Sequence, residues 1–129
     1  MKNIFFGSIT AFGLVIFLSS FSLNTSFTEE GDPFVIPENI DKTLKNTCYG
    51  CHNSESKNTK GKLKLKLDDF PTMKKSKLIS KLSKIAKSLE KGKMPPKKFL
   101  EHYPEKALSV DDKAALIDWA KSTAQKLAE

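Results

Sequence analysis

Apolar residues recur at helical spacing in three parts of the chain. The first part begins near Pro37 or Glu38, residue types suited to a helix start. Ile40, Leu44 and Cys48 then follow at intervals of four, which places them on one helical face. This pattern predicts an amphipathic helix that leads directly into a pair of cysteines.

Two further helices are predicted on the same grounds. Residues 77–91 carry lysines on one face and, on the other, the apolar residues Leu78, Ile79, Leu82, Ile85, Ala86 and Leu89. Gly92 is placed to end that helix. The last helix opens at Ser109, with Asp112 three residues later as an acid of the capping-box kind. Its apolar positions are Leu116, Ile117, Trp119, Ala120, Ala124 and Leu127.

Between the first two helices lies a polar stretch followed by the alternating segment LKLKL, residues 63–67. Alternation over five residues predicts a short extended segment, which is too little to form a sheet by itself. No internal repeat is visible. The expected fold class is therefore all-α with loops.

The N-terminal residues have a different character. A lysine near the start is followed by Ile4 to Phe21, a run of 18 residues without a charge. A positive start before an apolar run is the pattern of an export signal, and this length is also the threshold for a spanning helix. We expect residues 1–26 to be a signal peptide or an N-terminal membrane anchor, 27–36 a linker and 37–129 the domain. The protein is expected to be exported, either to the periplasm or to the outer face of the cytoplasmic membrane.

Length and charge narrow the function further. A chain of 129 residues has room for one small domain. Its 22 basic residues, all lysine, oppose 15 acidic ones, a net charge of +7. Without the bidentate fork of arginine, a surface for specific phosphate or base recognition is not expected, and nucleic acid is an unfavoured partner. The lysines concentrate in residues 57–98, which favours an acidic redox partner, an anionic membrane surface or simply a solvated face.

The only two cysteines lie in the stretch TCYGCH, residues 47–52. Cys-x-x-Cys-His is the pattern of covalent attachment of a c-type haem. Residues three apart share a face of a helical turn, so the sulfurs of Cys48 and Cys51 can reach the two vinyl groups on one porphyrin edge. His52 then follows as the proximal iron ligand. The expected cofactor is one covalently attached haem c.

Three other interpretations of the cysteine pair are weaker. A disulfide would close a ring of only four residues and would leave His52 unexplained. A zinc site would need two more good ligands, and His102 is the one further imidazole. A thioredoxin-like thiol centre requires a strand-to-helix junction, whereas a helical pattern precedes Cys48.

The sixth iron ligand is expected to be a methionine. Met94 precedes Pro95 and Pro96, which impose a stiff extended backbone, and no apolar helical stripe is available for it to join. A thioether opposite histidine is the ligand set of electron-transfer cytochromes. His102 is the main rival as ligand, and Met73, beside lysines at a helix start, is expected to serve in packing.

With these motifs in place, the chain resembles the small haem-binding, cytochrome-c-type domains of exported bacterial proteins. The resemblance rests on TCYGCH, on GKLKLKLDD and on LEKGKMPPKKFLEHYPEKALSVDDKAALIDWA. It implies a cytochrome-c-like fold in which the first and last helices pack together beside the haem, with Ile40 and Trp119 in that contact. The chain differs from the family in residues 53–62, which lack the aromatic side chains that many relatives carry there.

The expected function is that of a monohaem c-type cytochrome that carries single electrons outside the cytoplasm, with His52 and Met94 as axial ligands. The alternatives are a haem-based binder or sensor of a gas, with a labile sixth position, and a thiol-disulfide redox protein that uses Cys48 and Cys51. No paired carboxylates and no Ser-His-Asp arrangement point to catalysis, so the protein is not expected to be an enzyme.

Overall fold

The computed structural model describes residues 34–129, and these form five α-helices with no strand among them. The helices are α1 (Glu38–Thr47), α2 (Thr59–Lys64), α3 (Lys75–Glu90), α4 (Lys97–His102) and α5 (Val110–Ala128). Single-turn 3-10 helices at Phe70–Thr72 and Pro104–Lys106 complete the order. The predicted all-α class is confirmed. The expected signal or anchor, residues 1–26, and most of the linker lie outside the described residues.

Helix α1 begins where the sequence predicts. Pro37 precedes it and accepts a backbone hydrogen bond from the N–H group of Asp41 at 2.9 Å. Glu38 and Asp41 place negative charge in the first turn, where it offsets the helix dipole. The apolar stripe is buried, because Ile40 and Leu44 are only 4% and 3% exposed.

The core lies mainly between α3 and α5, the two longest helices, which pack along each other. Helix α3 contributes Leu78, Leu82, Ala86 and Leu89, and α5 contributes Leu116, Trp119, Ala120 and Ala124. Helix α1 packs against α5, as the resemblance implied. Ile40 and Trp119 are both buried in this same core. Phe70, the first residue of the 3-10 helix before α3, is fully buried in the same core.

The ends of the long helices follow local rules. Ser109 caps α5, since its Oγ accepts the N–H of Asp112 at 3.0 Å. Helix α3 ends in a left-handed glycine, Gly92, with φ of 60°. The N–H of Lys93 then donates to the carbonyl of Ser88 at 2.9 Å, which is the 6→1 hydrogen bond of a Schellman motif. The predicted end of α3 at Gly92 and the predicted start of α5 at Ser109 are both confirmed.

The segment predicted as extended, residues 63–67, is different in the structure. Leu63 and Lys64 form the last turn of α2, and the chain becomes extended only at Leu65. The alternation was a poor guide because a local cap decides the conformation: the side chain of Asn58 accepts the N–H of Gly61 at 2.9 Å. Helix α4, which follows Pro96 directly, was not predicted either.

Candidate functional site

The cysteine pair lies on a turn that continues from α1. The N–H of Cys48 bonds to the carbonyl of Leu44 at 2.9 Å, and the N–H of His52 bonds to the carbonyl of Cys48 at 3.1 Å. One helical turn is thus retained across the motif, which keeps Cys48, Cys51 and His52 close in space. All three side chains are half-buried, and both cysteines are free thiols.

These three residues line a cavity of about 570 Å³. This volume falls within the range of roughly 300–1,000 Å³ typical of ligand and cofactor sites. The cavity walls are largely apolar and include Leu44, Ile85, Leu89, Pro95, Pro96, Phe99, Leu108 and Leu116. Core and cavity therefore share part of their lining, and the site is a continuation of the core toward the surface.

Met94 lines the same cavity. The Schellman turn at Gly92 ends α3 and directs the chain toward residues 48–52, which we call the cysteine turn. Pro95 and Pro96 follow Met94 immediately. Met94 is half-buried and packs against the edge of the core. The four residues that the sequence selected as haem contacts, Cys48, Cys51, His52 and Met94, are thus brought to one cavity from two separate parts of the chain.

The imidazole of His52 has one nitrogen already engaged. Its Nδ1 lies 3.0 Å from the carbonyl oxygen of Gly61, an acceptor that requires a proton on Nδ1. The neutral ring then carries its free lone pair on Nε2. This arrangement is the usual one for a metal-binding histidine, whose other nitrogen donates to a carbonyl or carboxylate.

The other candidate ligands lie elsewhere. His102 is exposed at the end of α4 and is not part of the cavity wall. Met73 is half-buried, packs against the core and borders a smaller pocket beside α2. The packing role expected for Met73 agrees with this position.

The thiol of Cys48 is poorly suited to redox chemistry. Burial, the main effect, raises its pKa, and the negative charge of an ionised Cys51 raises it further. The Thr47 hydroxyl, 3.3 Å from the sulfur, lowers it in part. Reactive redox cysteines have lowered pKa values, because the thiolate is the nucleophile. Cys48 therefore has the environment of a structural or attachment cysteine.

Lysines surround the cavity. The lysine rim, as we call it, consists of the six lysines that line it: Lys64, Lys81, Lys84, Lys87, Lys91 and Lys93. No carboxylate lines the cavity, and none of the salt bridges found in residues 34–129 involves a member of the rim. Burial and the neighbouring Lys84 and Lys77 lower the pKa of Lys81, in that order of importance. The rim is a concentrated, uncompensated positive charge around an apolar opening.

Two contributors to the site were missed in the sequence. Gly61 lies in the unpredicted helix α2, and Phe99 lies in the unpredicted helix α4. Asn58 was a usable signal for α2, since asparagine is a preferred residue before a helix start. The carbonyl of Gly61 had no signal at all, because every residue carries a backbone acceptor.

Among residues 34–129, no group of three or more His, Cys, Asp and Glu side chains is arranged to hold a metal ion. In the same range, no helix combines the length and the apolar character needed to cross a membrane.

The fold and the cavity together define a small helical domain with a largely apolar cavity of cofactor size. A family model described as "Haem-binding domain" matches residues 56–122, more than half of the chain. The chain belongs to this haem-binding domain family, and the membership indicates that it binds haem. The cysteine turn lies just before the matched residues, and Met94 lies within them. No curated protein and no solved structure matches the chain.

Proposed function

We propose that the protein is a monohaem c-type cytochrome that carries single electrons and performs no substrate chemistry of its own. The observation that carries this proposal is the meeting of Cys48, Cys51, His52 and Met94 in one cavity of cofactor size. A cofactor bound there supplies the ferric and ferrous states between which an electron carrier cycles. We also propose that the haem is of the covalently attached c type and that the chain is exported.

The cysteines would hold the cofactor covalently. Each Sγ–H would add across one vinyl double bond of the haem, with sulfur going to one carbon and hydrogen to the other, so nothing would leave and no oxidant would be consumed. Covalent attachment suits a small domain whose cavity opens at the surface, because the cofactor cannot be lost from it.

His52 and Met94 would be the two residues that bind the iron. Support for His52 is its Nδ1–H bond to Gly61, which leaves Nε2 available. Support for Met94 is its position in the cavity wall, where His102 and Met73 are absent. A histidine and a methionine together favour low-spin iron that does not take up external ligands.

The lysine rim supports an acidic redox protein as partner. Six lysines without a matching carboxylate give a positive potential around the opening through which an electron would pass. Such a field speeds the approach of an acidic protein and orients it on the cofactor edge. Because the field is screened by salt, association should slow as the ionic strength rises.

The test begins with the exported, purified full-length protein. Denaturing mass spectrometry should find the chain heavier by one haem, and optical spectra should be low-spin in both oxidation states and unchanged by CO. A chain without attached haem would refute the proposal. A spectrum that responds to CO would instead support a gas-binding protein with a labile sixth position.

A further inference from the structure

Helix α2 makes an unusually close contact with the cysteine turn at Gly61. Gly61 is buried, and a Cβ atom built on it would overlap the carbonyl oxygen of Cys51. The same Cβ would lie 3.1 Å from the carbonyl carbon and 3.2 Å from the Cβ of Cys51. Backbone atoms cannot rotate away as the end of a flexible side chain can. Any residue larger than glycine would therefore separate α2 from the turn.

This contact is held by a chain of hydrogen bonds that begins and ends at the cysteine turn. The buried Ser56 hydroxyl donates to the carbonyl of Gly50 at 2.9 Å and accepts the N–H of Asn58 at 3.1 Å. The side chain of Asn58 then accepts the N–H of Gly61 at 2.9 Å. The carbonyl of Gly61 accepts the Nδ1–H of His52, which closes the loop. These hydrogen bonds connect α2 to the cysteine turn at both Gly50 and His52, so α2 is fixed relative to the imidazole.

We propose that Gly61 is a positioning residue for His52. Its lack of a side chain lets α2 approach the turn, and its carbonyl then selects the Nδ1–H tautomer and the ring orientation. The carbonyl has a second lone pair for the N–H of Leu65, at 3.0 Å, so the helix loses no bond by this contact. The exchange of the Nδ1 proton with water can be measured whatever the chain carries, whereas the effect on iron rests on the proposed function.

The effect on iron follows from the donor strength of the imidazole. A hydrogen bond from Nδ1–H to a carbonyl increases electron density on the ring and makes Nε2 a stronger donor. A stronger donor favours ferric over ferrous iron. Loss of the bond should therefore raise the reduction potential, because hydrogen bonding around a ligand is one of the levers that sets it.

The first measurement is ¹⁵N NMR of the histidine rings in the full-length protein as purified and reduced. The wild-type should show a proton on Nδ1 of His52 that exchanges slowly with water. Gly61→Ala should speed this exchange or remove the signal. The matched control is Gly50→Ala, because alanine keeps the backbone carbonyl that accepts from Ser56 and its Cβ meets nothing within 4 Å. A wild-type ring protonated on Nε2 would overturn the proposal.

The second measurement is the reduction potential of the same variants. Gly61→Ala should shift it upward and Gly50→Ala should leave it unchanged. If Gly61→Ala does not fold, Asn58→Ala offers another route, because it removes the cap and leaves Gly61 intact. Asn58→Ala should shift the potential in the same direction, and Asn58→Ser, which keeps an acceptor, should restore it.

Unchanged potentials and tautomers in Gly61→Ala and Asn58→Ala would show that Gly61 has only a structural role. The proposed function fails separately, if the purified chain carries no covalent haem. In that case the NMR measurement still decides whether Gly61 positions His52.

Discussion

Met94 and His52 line the same cavity, although His52 follows α1 and Met94 follows α3. In the proposed function both residues bind one iron. Removal of Met94 should therefore open the sixth iron position and leave the rest of the site unchanged. Met94→Ala should retain covalent haem, since both cysteines remain, but the reduced protein should bind CO. Optical spectra with and without CO measure this directly.

The matched control is Met73→Ala, which removes a half-buried methionine outside the cavity. This variant should keep the wild-type spectrum. A low-spin spectrum indifferent to CO in Met94→Ala would show that Met94 is not the ligand, and His102→Ala would then be the next variant.

The lysine rim predicts a charge-dependent reaction rate. Oxidation of the reduced protein by ferricyanide, an anion, should slow as salt is added, whereas oxidation by the cation tris(phenanthroline)cobalt(III) should speed up. The double variant Lys84→Glu/Lys87→Glu should reverse or abolish both trends. Stopped-flow rates at several ionic strengths provide the measurement.

A control with the same net charge separates the rim from the total charge. Lys42→Glu/Lys126→Glu changes two exposed lysines on α1 and α5, neither of which lines the cavity. It should retain most of the wild-type salt dependence. Equal effects of the two double variants would mean that only the overall charge matters and that the rim has no special role.

The fully buried leucines of α3 and α5 should dominate stability. Leu82 and Leu116 are both 0% exposed, so Leu82→Ala or Leu116→Ala should lower the free energy of unfolding by about 2–5 kcal/mol. Val110, 85% exposed, is the control, and Val110→Ala should change it by less than about 0.5 kcal/mol. Urea denaturation monitored by circular dichroism provides the values. A loss below 1 kcal/mol in both leucine variants, on the order of a surface change, would contradict the described core.

The half-buried thiol of Cys48 predicts a pH effect in chains that have not received haem. Its pKa is raised above the ordinary thiol value, mainly by burial. The stability that comes from burying the neutral thiol is therefore full below the pKa of the unfolded thiol, and it is lost as the pH rises through the higher folded value. Stability measured by urea should fall across this alkaline window in the wild-type.

Cys48→Ala has no thiol to ionise and should show a smaller decline over the same window. Alkylation offers a second readout, since iodoacetamide should modify Cys48 more slowly in the folded chain than in urea. Fast alkylation of folded Cys48 near neutral pH would favour the thiol-redox interpretation.

Much of the helical frame was predictable because its signals are local. The 3.6-residue spacing of apolar positions, the cap at Ser109 and the terminating Gly92 each depend on a few neighbouring residues. Helix α2 was not predicted, because six residues carry too little periodicity and its stability depends on contacts with the cysteine turn. The alternation at 63–67 therefore predicted an extended segment that was wrong for Leu63 and Lys64, which belong to α2, whereas Leu65 is extended.

In the site, too, the features set by neighbouring residues were predictable and those set by tertiary packing were not. Cys48, Cys51 and His52 are adjacent in sequence, so their shared chemistry is visible in the motif itself. The meeting of Met94 with them depends on how α3 packs on α5, which sequence spacing does not give. The bond from His52 to Gly61 is the extreme case, since it joins a side chain to a backbone carbonyl in a helix that was not foreseen.

Helix α3 also limits which insertions and deletions the sequence can tolerate. One of its faces forms the core, and another carries three members of the lysine rim, Lys81, Lys84 and Lys87. A fourth member, Lys91, follows directly after the helix. Insertion of a single residue would rotate everything after it by about 100°. The leucines would leave the core, the lysines would leave the cavity, and Met94 would be displaced in the same event. Related chains should therefore vary in length in their loops, and the helix should keep its number of residues.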